Sequence, residues 1–144
     1  EMLTLYRKAE DILDHQNEIY TISSMSSIVQ SNLAFDELVN KRRNNFNILR
    51  TTIREPLLPL FSLDGNQAVP LYFPVLVEDR AALQKHLVQN AIYAPVVWPK
   101  DEQQPIQCEG AENAYSHLLC IPIDQRYDAD DMNRIIEVVN AYYR

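Results

Sequence analysis

The pattern of apolar and polar positions is clearest in the last third of the chain. Leu118–Ile123 is a short apolar run with β-branched residues, long enough for a buried strand and too short for a helix. Pro122 removes one ladder donor, so we expect that end of the strand to lie at a sheet edge or at the point where pairing stops. The polar turn Asp124–Tyr127 follows, and Asp128 is a good N-cap for a closing amphipathic helix. The apolar residues of that helix are Met132, Ile135, Ile136, Val138, Val139 and Tyr142.

Two helical patterns begin the chain. Glu1–Gln16 carries apolar side chains at three- and four-residue spacing among charges, which predicts a short amphipathic helix. A second pattern begins at a capping residue, Ser23 or Ser24, and continues to about Arg54. About thirty residues at ~1.5 Å rise would make a rod of about 45 Å, so we expect this helix to pack against something beyond its own domain. Its polar face is either solvated or turned toward a partner, and comprises Asn40, Lys41, Arg42, Asn44, Asn45 and Asn47.

Strands and helices alternate between the long helix and the C-terminal strand. Pro56 and Pro59 end the long helix. Val69–Val77 is almost continuously apolar, which predicts a buried strand with a bulge or an edge at Pro74. The other expected elements are a connector at Leu57–Leu63, a helix from Asp79 to about Asn90, a second short strand at Ala94–Trp98 and a short helix at Glu109–Ser116.

This order of elements predicts an α/β (α+β) fold. We expect a long linking helix followed by a small three- to four-stranded sheet with helices packed mainly on one face. The N-terminal helix and the long interdomain-type helix would occupy residues 1–54. A small α/β domain would occupy residues 55–144.

Composition and charge narrow the functional class. The chain has 144 residues, about one domain, and 47% of them are hydrophobic, as in an ordinary soluble globular protein. No apolar run approaches the roughly 20 residues that a membrane helix needs. A formal net charge of −7 argues against a nucleic-acid surface, and we interpret the one basic cluster, Lys41–Arg43, as a solvated helix face. We therefore expect neither nucleic acid nor membrane as a partner.

Potential metal ligands, nucleophiles and acid–base residues are spread along the chain and form no known motif. Cys108, His117 and Cys120 match no standard zinc spacing and lack a fourth ligand, so we predict no metal site and interpret both thiols as reduced, in a cytoplasmic protein. The chain has only 2 glycines, too few for a phosphate-cradling loop, and no serine lies in a nucleophile elbow. Helix capping and solvation account for the carboxylate pairs Asp101–Glu102 and Asp130–Asp131.

Four side chains are the best candidates for a binding pocket. Trp98 stands at the end of a predicted strand with Tyr93 before it, although core packing is the commoner role of such a pair. Arg126 and Tyr127 place a guanidinium and a phenol just past the C-terminal end of a strand, where ligands often bind in α/β sheets. From the residues alone these side chains mark a pocket edge and give no reaction.

Three stretches resemble one enzyme family. Residues 25–53, MSSIVQSNLAFDELVNKRRNNFNILRTTI, resemble the long helix that links the two domains of sugar aminotransferases of the DegT/StrS type. Residues 70–99, PLYFPVLVEDRAALQKHLVQNAIYAPVVWP, are similar to the strand, helix and strand of that family's small domain. Residues 118–139, LLCIPIDQRYDADDMNRIIEVV, are similar to its closing strand, turn and helix. The family consists of fold-type-I enzymes that depend on pyridoxal phosphate (PLP), so the resemblance implies a C-terminal (small) domain.

The resemblance also implies that the catalytic machinery lies elsewhere. In this family the cofactor lysine and the phosphate-binding loop belong to the large N-terminal domain, so we expect no catalytic and no cofactor-binding residue here. The lysines lie on predicted helices or in a proline-bounded loop: Lys8, Lys41, Lys85 and Lys100. A PLP enzyme needs such an amine, so this chain would be inactive by itself and bind no cofactor alone. With PLP, the full-length protein would transfer an amino group, by a ping-pong reaction, from glutamate to a nucleotide-linked keto-sugar.

Site roles and partners follow from the same resemblance. Trp98 would be a wall residue of the substrate pocket, and Arg126 or Tyr127 would be rim contacts. The implied partners are the missing N-terminal PLP-binding domain and a second copy in a homodimer, because the family builds its active sites at a subunit interface.

Other interpretations stay open. The chain could be a stand-alone α/β binding or regulatory module without catalysis, or a docking domain that uses the helix from Ser24 to Arg54. A divergent aminotransferase homologue with a lost lysine is a further alternative. The sequence gives neither the amino acceptor nor the activity of the parent protein.

Overall fold

A computed structural model describes residues 2–53, 57, 59–63, 68–97 and 108–144. Its backbone divides into two compact units, Glu1–Leu33 and Ala34–Arg144. The mixed α/β class is confirmed, since the described residues form six helices and a two-stranded antiparallel sheet. The domain boundary expected between residues 54 and 55 stays a prediction.

The first unit contains two helices, α1 (Met2–Asp14) and α2 (Ser24–Ser31). α1 lies where the amphipathic spacing predicts it. Ser23 caps α2, because its Oγ accepts a hydrogen bond from the backbone N–H of Ser26 at 3.0 Å. Every side chain from residue 4 to residue 33 is exposed. The side chains of residues 4–33 therefore form no buried core within this unit.

The helix expected from Ser24 to about Arg54 is interrupted. α2 ends at Ser31, and the next helix, α3, spans Phe35–Thr52. The side-chain Nδ2 of Asn32 donates to the carbonyl of Ile28 at 2.8 Å and so competes with continuation of the backbone ladder. A single continuous rod is therefore wrong, and Arg54 itself lies outside the described residues.

The second unit builds a small sheet under three of its helices. After α3 its elements are β1 (Tyr72–Leu76), α4 (Arg80–Gln89), α5 (Glu109–His117), β2 (Leu118–Pro122) and α6 (Ala129–Tyr142). β1 and β2 pair antiparallel, with Phe73 opposite Ile121 and Val75 opposite Leu119, and all four side chains are buried. α3 packs on β1, α4 packs on β2, and both helices contact α6. The helices add to this core Phe46, Leu49, Leu83, Leu87, Met132, Ile135, Ile136 and Val139.

The regular sheet is smaller than expected, because prolines limit its edges. In the described part of the chain it has two regular strands rather than three or four. Leu60 donates its N–H to the carbonyl of Pro74 at 3.1 Å on one side, and Cys120 donates to the carbonyl of Pro95 at 3.3 Å on the other. Since proline has no N–H to return, neither flanking segment extends into a ladder. The strand expected at Ala94–Trp98 is thus irregular over residues 94–97. Of the bulge or edge expected at Pro74, the bulge is absent because β1 runs through Pro74 in continuous register, whereas β1 is an edge strand of the described two-stranded sheet.

The start of α6 confirms the predicted cap. The Asp128 carboxylate accepts the backbone N–H of Asp130 at 2.9 Å and that of Asp131 at 3.2 Å. Asp131 returns the interaction, since its Oδ2 accepts the N–H of Asp128 at 3.0 Å. This capping box satisfies three backbone donors and sets the direction in which the chain leaves the turn.

The end of α4 contains the one left-handed residue other than glycine among those described. Ala91 has φ 56°. The N–H of Ile92 donates to the carbonyl of Leu87 at 2.8 Å, and the N–H of Ala91 donates to that of Val88 at 3.0 Å. This is the Schellman motif, whose left-handed position ordinarily holds glycine because a Cβ is strained there.

We expect Ala91→Gly to stabilise the protein. The substitution relieves the left-handed strain and makes the unfolded chain more flexible, so the net gain should be about 0.5–1 kcal/mol. Urea unfolding should show a higher midpoint with an unchanged slope. Ala81→Gly in the first turn of the same helix is the matched control and should destabilise. Equal effects of the two substitutions would contradict the strain at Ala91.

Candidate functional site

Two of the four predicted pocket residues lie together. Tyr93 and Tyr127 both line a small cavity of about 50 Å³ between the end of α4 and the start of α6. The Tyr93 side chain is 72% exposed, whereas Tyr127 is half-buried. The other lining residues are Ala91, Ile92, Pro122, Asp131, Arg134 and Ile135. Arg126 is not among them, and Trp98 lies outside the described residues.

Arg126 is held by a carboxylate of its own turn. Its Nε donates to Asp124 Oδ1 at 2.9 Å and its Nη2 donates to Oδ2 at 2.7 Å, a bidentate pair. The guanidinium carbon also lies 5.9 Å from the centre of the Tyr127 ring. The hydrogen bond from Arg126 lowers the pKa of Asp124, and the same bond raises the pKa of Arg126. Both groups therefore stay charged at neutral pH, and Arg126 has a fixed orientation next to Tyr127.

The turn that carries these residues is held in place by α3. Asn45 is 2% exposed, and its Nδ2 lies 3.3, 3.2 and 3.1 Å from the backbone carbonyl oxygens of Ile123, Asp124 and Tyr127. Arg42 adds a bond from its Nε to the side-chain oxygen of Gln125 at 2.9 Å. One buried amide thus contacts three carbonyls, of which that of Asp124 also accepts the N–H of Tyr127 at 3.2 Å.

The polar face expected on α3 is exposed, as expected, at Asn40, Lys41, Asn44 and Asn47, but the expectation is wrong at Asn45. Asn45 is neither solvated nor turned toward a partner, and Arg42 and Arg43 are half-buried rather than fully solvated. Sequence reasoning missed Asn45 as a residue that shapes the site. The signal was its spacing: it precedes the apolar Leu49 by four residues, and residues four apart share a helix face.

Two larger cavities lie in the second unit. One, of about 650 Å³, is lined by Leu76, Val77, Glu78, Asp79, Tyr142 and Tyr143. Another, of about 260 Å³, is lined by Arg80, Val97, Ala111, Ala114, Tyr115 and Leu118. The polar groups near them have structural roles, since Asp79 caps α4 by accepting the N–H of Ala82 at 3.0 Å, and Arg80 donates to the carbonyl of Tyr115 at 2.6 Å. Neither lining pairs a nucleophile with a base.

The cysteines are free thiols in different environments. Cys108 is exposed at the start of α5, and the backbone N–H groups of Ala111 and Gly110 lower its pKa. Cys120 is buried in β2, and burial raises its pKa. Across the described ranges, no three or more His, Cys, Asp or Glu side chains are grouped as metal ligands. None of the described helices has the length and apolar character needed to span a membrane.

The sequence matches the DegT/DnrJ/EryC1/StrS aminotransferase family over residues 20–140. The chain belongs to this family. The match includes the turn, most of α6 and most of the elements that frame the cavities. Enzymes of the family are in general PLP-dependent.

Solved structures with a similar fold include aminotransferases. The chain is similar to the aminotransferase TlmJ from Streptoalloteichus hindustanus, with a TM-score of 0.68 and 20% identity over 82% of this chain and 34% of that one. It is similar to the sugar aminotransferase CalS13 from Micromonospora echinospora, with a TM-score of 0.67 and 18% identity over 75% of this chain and 31% of that one. AtS13 from Actinomadura melliaura gives a TM-score of 0.67 and 16% identity over the same shares. At these identities the likeness shows the fold, and the chain spans about a third of the length of these proteins. No curated protein sequence matches it.

The described residues do not fit a PLP site. The cofactor needs a lysine amine in a pocket, together with groups that orient the ring and the phosphate. Lys8, Lys41 and Lys85 are exposed on helices, and none of them lines any of the three cavities. Lys100 lies outside the described part of the chain. The side chains that lie together are instead two tyrosines at the small cavity, Tyr93 and Tyr127, and the Asp124–Arg126 ion pair beside Tyr127.

Replacement of Asn45 by Ala should destabilise the second unit by about 1–3 kcal/mol, because the buried carbonyl of Ile123 and the half-buried carbonyls of Asp124 and Tyr127 lose the side-chain amide donor. Urea unfolding followed by circular dichroism will measure the loss. Asn44→Ala, an exposed position on the same helix, should change the stability by less than about 0.5 kcal/mol. Similar losses for the two variants would show that the amide does not hold the turn.

Replacement of Arg126 by Ala should raise the pKa of Asp124 toward its ordinary value, because its strongest favourable partner is removed. A carboxyl whose pKa is lower in the folded state stabilises the fold above its unfolded pKa. That contribution is lost as the pH falls through the folded value. The stability difference between wild type and Arg126→Ala should therefore be present near pH 7 and be lost in acid, as the pH falls through the lowered pKa of Asp124 in the folded state.

An NMR titration of the Asp124 carboxyl will measure the pKa directly. Arg134→Ala is the control, because Arg134 donates to the carbonyl of Asn90 and not to Asp124. An unchanged Asp124 titration in Arg126→Ala would contradict the ion pair.

Proposed function

We propose that this chain is the C-terminal domain of a PLP-dependent sugar aminotransferase and is not catalytic on its own. The proposal rests on how much of each chain is matched in the comparison with solved structures. The solved aminotransferases match three quarters or more of this chain, but the chain matches only about a third of each of them. A family member of this size corresponds to one domain of such an enzyme, and the family match over residues 20–140 supports this correspondence.

The partner implied by this proposal is an N-terminal PLP-binding domain of the same protein. It would supply the lysine, because the described lysines are exposed and lie outside the cavities. We also propose a homodimer, the assembly that the family resemblance implies. A cytoplasmic location agrees with two free thiols, since disulfides are rare in that compartment.

In the full-length enzyme this domain would cover the substrate, which we propose to be a nucleotide-linked keto-sugar. Tyr93 presents an exposed ring that can stack on a sugar or base, and Tyr127 forms the wall beneath it. Arg126 directs two of its five N–H donors at Asp124, and the rest of the fork can contact an anionic group at the rim. Trp98 remains the proposed wall residue. The chemistry of amino transfer comes from PLP, while these side chains bind and orient the acceptor.

One observation favours the alternative of a stand-alone docking module. The first unit exposes apolar side chains along both of its helices, as a partner-binding segment would. The reading frame upstream of the Glu1 codon separates the two proposals. An aminotransferase domain requires a long upstream frame with a lysine after a Ser-rich strand-turn, and a docking module does not.

The direct test compares the 144-residue chain with the protein encoded by the whole frame. We expect the whole protein to retain PLP through dialysis and to transaminate nucleotide-linked keto-sugars with glutamate as donor. We expect the 144-residue chain to retain none. Retention of one PLP for each 144-residue chain, or a whole protein without transaminase activity, would contradict the proposal.

Site variants then connect this domain to turnover. In the whole protein Trp98→Ala should lower kcat/KM by about ten- to a hundredfold, the loss of ~1.4–2.7 kcal/mol of transition-state binding. Tyr143→Ala, an aromatic at the C-terminal end of α6 that is not among the proposed pocket residues, is the control and should leave kcat/KM within about twofold. Full turnover of Trp98→Ala would remove Trp98 from the pocket.

A further inference from the structure

Asn45 is buried next to side chains that fix α3 in the core. Phe46 and Leu49 are both 0% exposed. The centre of the Phe46 ring lies 5.0 Å from that of Phe73 and 5.6 Å from that of Phe61. Since interiors are close-packed, α3 cannot rotate or slide without loss of these contacts. The Asn45 amide is therefore held at a fixed position.

This amide contacts both ends of the turn at residues 124–127. Its Nδ2 lies 3.3 and 3.2 Å from the carbonyl oxygens of Ile123 and Asp124 on one side of the turn, and 3.1 Å from that of Tyr127 on the other. An amide nitrogen has only two N–H bonds, so the three acceptors share two donors. Such sharing requires all three carbonyls to converge on one atom, which fixes the turn on α3.

A second bond joins α3 to the tip of the turn. Arg42 lies three residues before Asn45, on the same side of the helix, and its Nε donates to Oε1 of Gln125 at 2.9 Å. Gln125 directly precedes Arg126 in the chain. α3 therefore contacts the turn at its ends and at its tip.

The shape of the turn depends on other bonds, which lie within the turn itself. The N–H of Tyr127 donates to the carbonyl of Asp124 at 3.2 Å. The backbone N–H of Arg126 donates to Asp124 Oδ1 at 2.9 Å, and the guanidinium forms its bidentate pair with the same carboxylate. Loss of the Asn45 amide would leave these local bonds in place and release the turn from α3.

We propose that Asn45 is a positioning residue that places Arg126 and Tyr127 for contact with the amino acceptor. This inference rests on the proposed function, in which these two side chains contact the keto-sugar. Asn45 is 2% exposed, so it acts through the turn and does not touch substrate. A shift of about 1 Å in a substrate-positioning group can cost about a hundredfold in rate.

Steady-state kinetics of the whole protein test this role. Asn45→Ala should lower kcat/KM for the keto-sugar by about five- to thirtyfold and leave kcat/KM for glutamate within about twofold. In a ping-pong reaction each of these values reports only its own half-reaction. A general loss of folded enzyme lowers both values by the same factor, so an unequal loss distinguishes positioning from stability.

Two control variants match this design. Asn44→Ala, at the exposed neighbouring position of α3, should leave both values within about twofold. Val75→Ala truncates a fully buried side chain of β1 opposite Leu119, away from the turn. It destabilises the core without releasing the turn, so any loss should be equal for the two substrates.

The bond at the tip provides a test that leaves the core intact. Arg42→Met and Gln125→Ala each remove this bond at half-buried positions. Each should lower only the keto-sugar value, by about two- to fivefold. The double variant should lose no more than either single variant, because the same bond is missing in all three.

The outcomes separate this inference from the proposed function. Equal losses for the two substrates in Asn45→Ala, or unchanged keto-sugar values in the Arg42 and Gln125 variants, would overturn the positioning role and leave the aminotransferase proposal standing. A wild-type whole protein without transaminase activity would contradict the proposed function and, with it, this inference.

Discussion

The buried amide of Asn45 links parts of the chain that are far apart in sequence. A polar group in the core is tolerated only when its hydrogen bonds are made, and here one side chain meets three backbone carbonyls. Because these carbonyls lie at residues 123, 124 and 127, the turn after β2 cannot shift along α3 without losing all three bonds. The positions of Arg126 and Tyr127 therefore depend on Asn45, together with the bond from Arg42 to Gln125 in the same turn.

The turn at residues 124–127 leads into the fixed start of α6 and also carries the side chains proposed to bind substrate. The capping box at Asp128 and Asp131 fixes where α6 begins, and the Asp124–Arg126 pair fixes the guanidinium above Tyr127. The cavity shared by Tyr93 and Tyr127 lies between the end of α4 and this turn. A strained left-handed alanine ends α4, so both sides of the cavity are set by local backbone motifs rather than by flexible loops.

The sequence predicts those elements of the fold that depend on interactions between residues close together in the chain. The strand at residues 118–122, the cap at Asp128 and the amphipathic α6 follow from an apolar run, a capping residue and helical spacing, and all three are confirmed. The α2–α3 break was not predicted, because the apolar pattern continues through Asn32 while its side chain bonds to the preceding turn. Asn45 was missed because composition marks it as polar, and only the tertiary contact with a turn about eighty residues away buries it.

The sequence separation of the contacts also bears on how the chain folds. The bonds from Asn45 span 78–82 residues, and β1 pairs with a strand more than forty residues later. Closing such long loops costs chain entropy before any contact rewards it, and folding rates fall as contacts become less local. The capping box at the start of α6 forms within four residues and can be present early. We therefore expect the core of the second unit to form late and cooperatively, when α3 packs against a β2–α6 segment whose turn and helix cap have already formed.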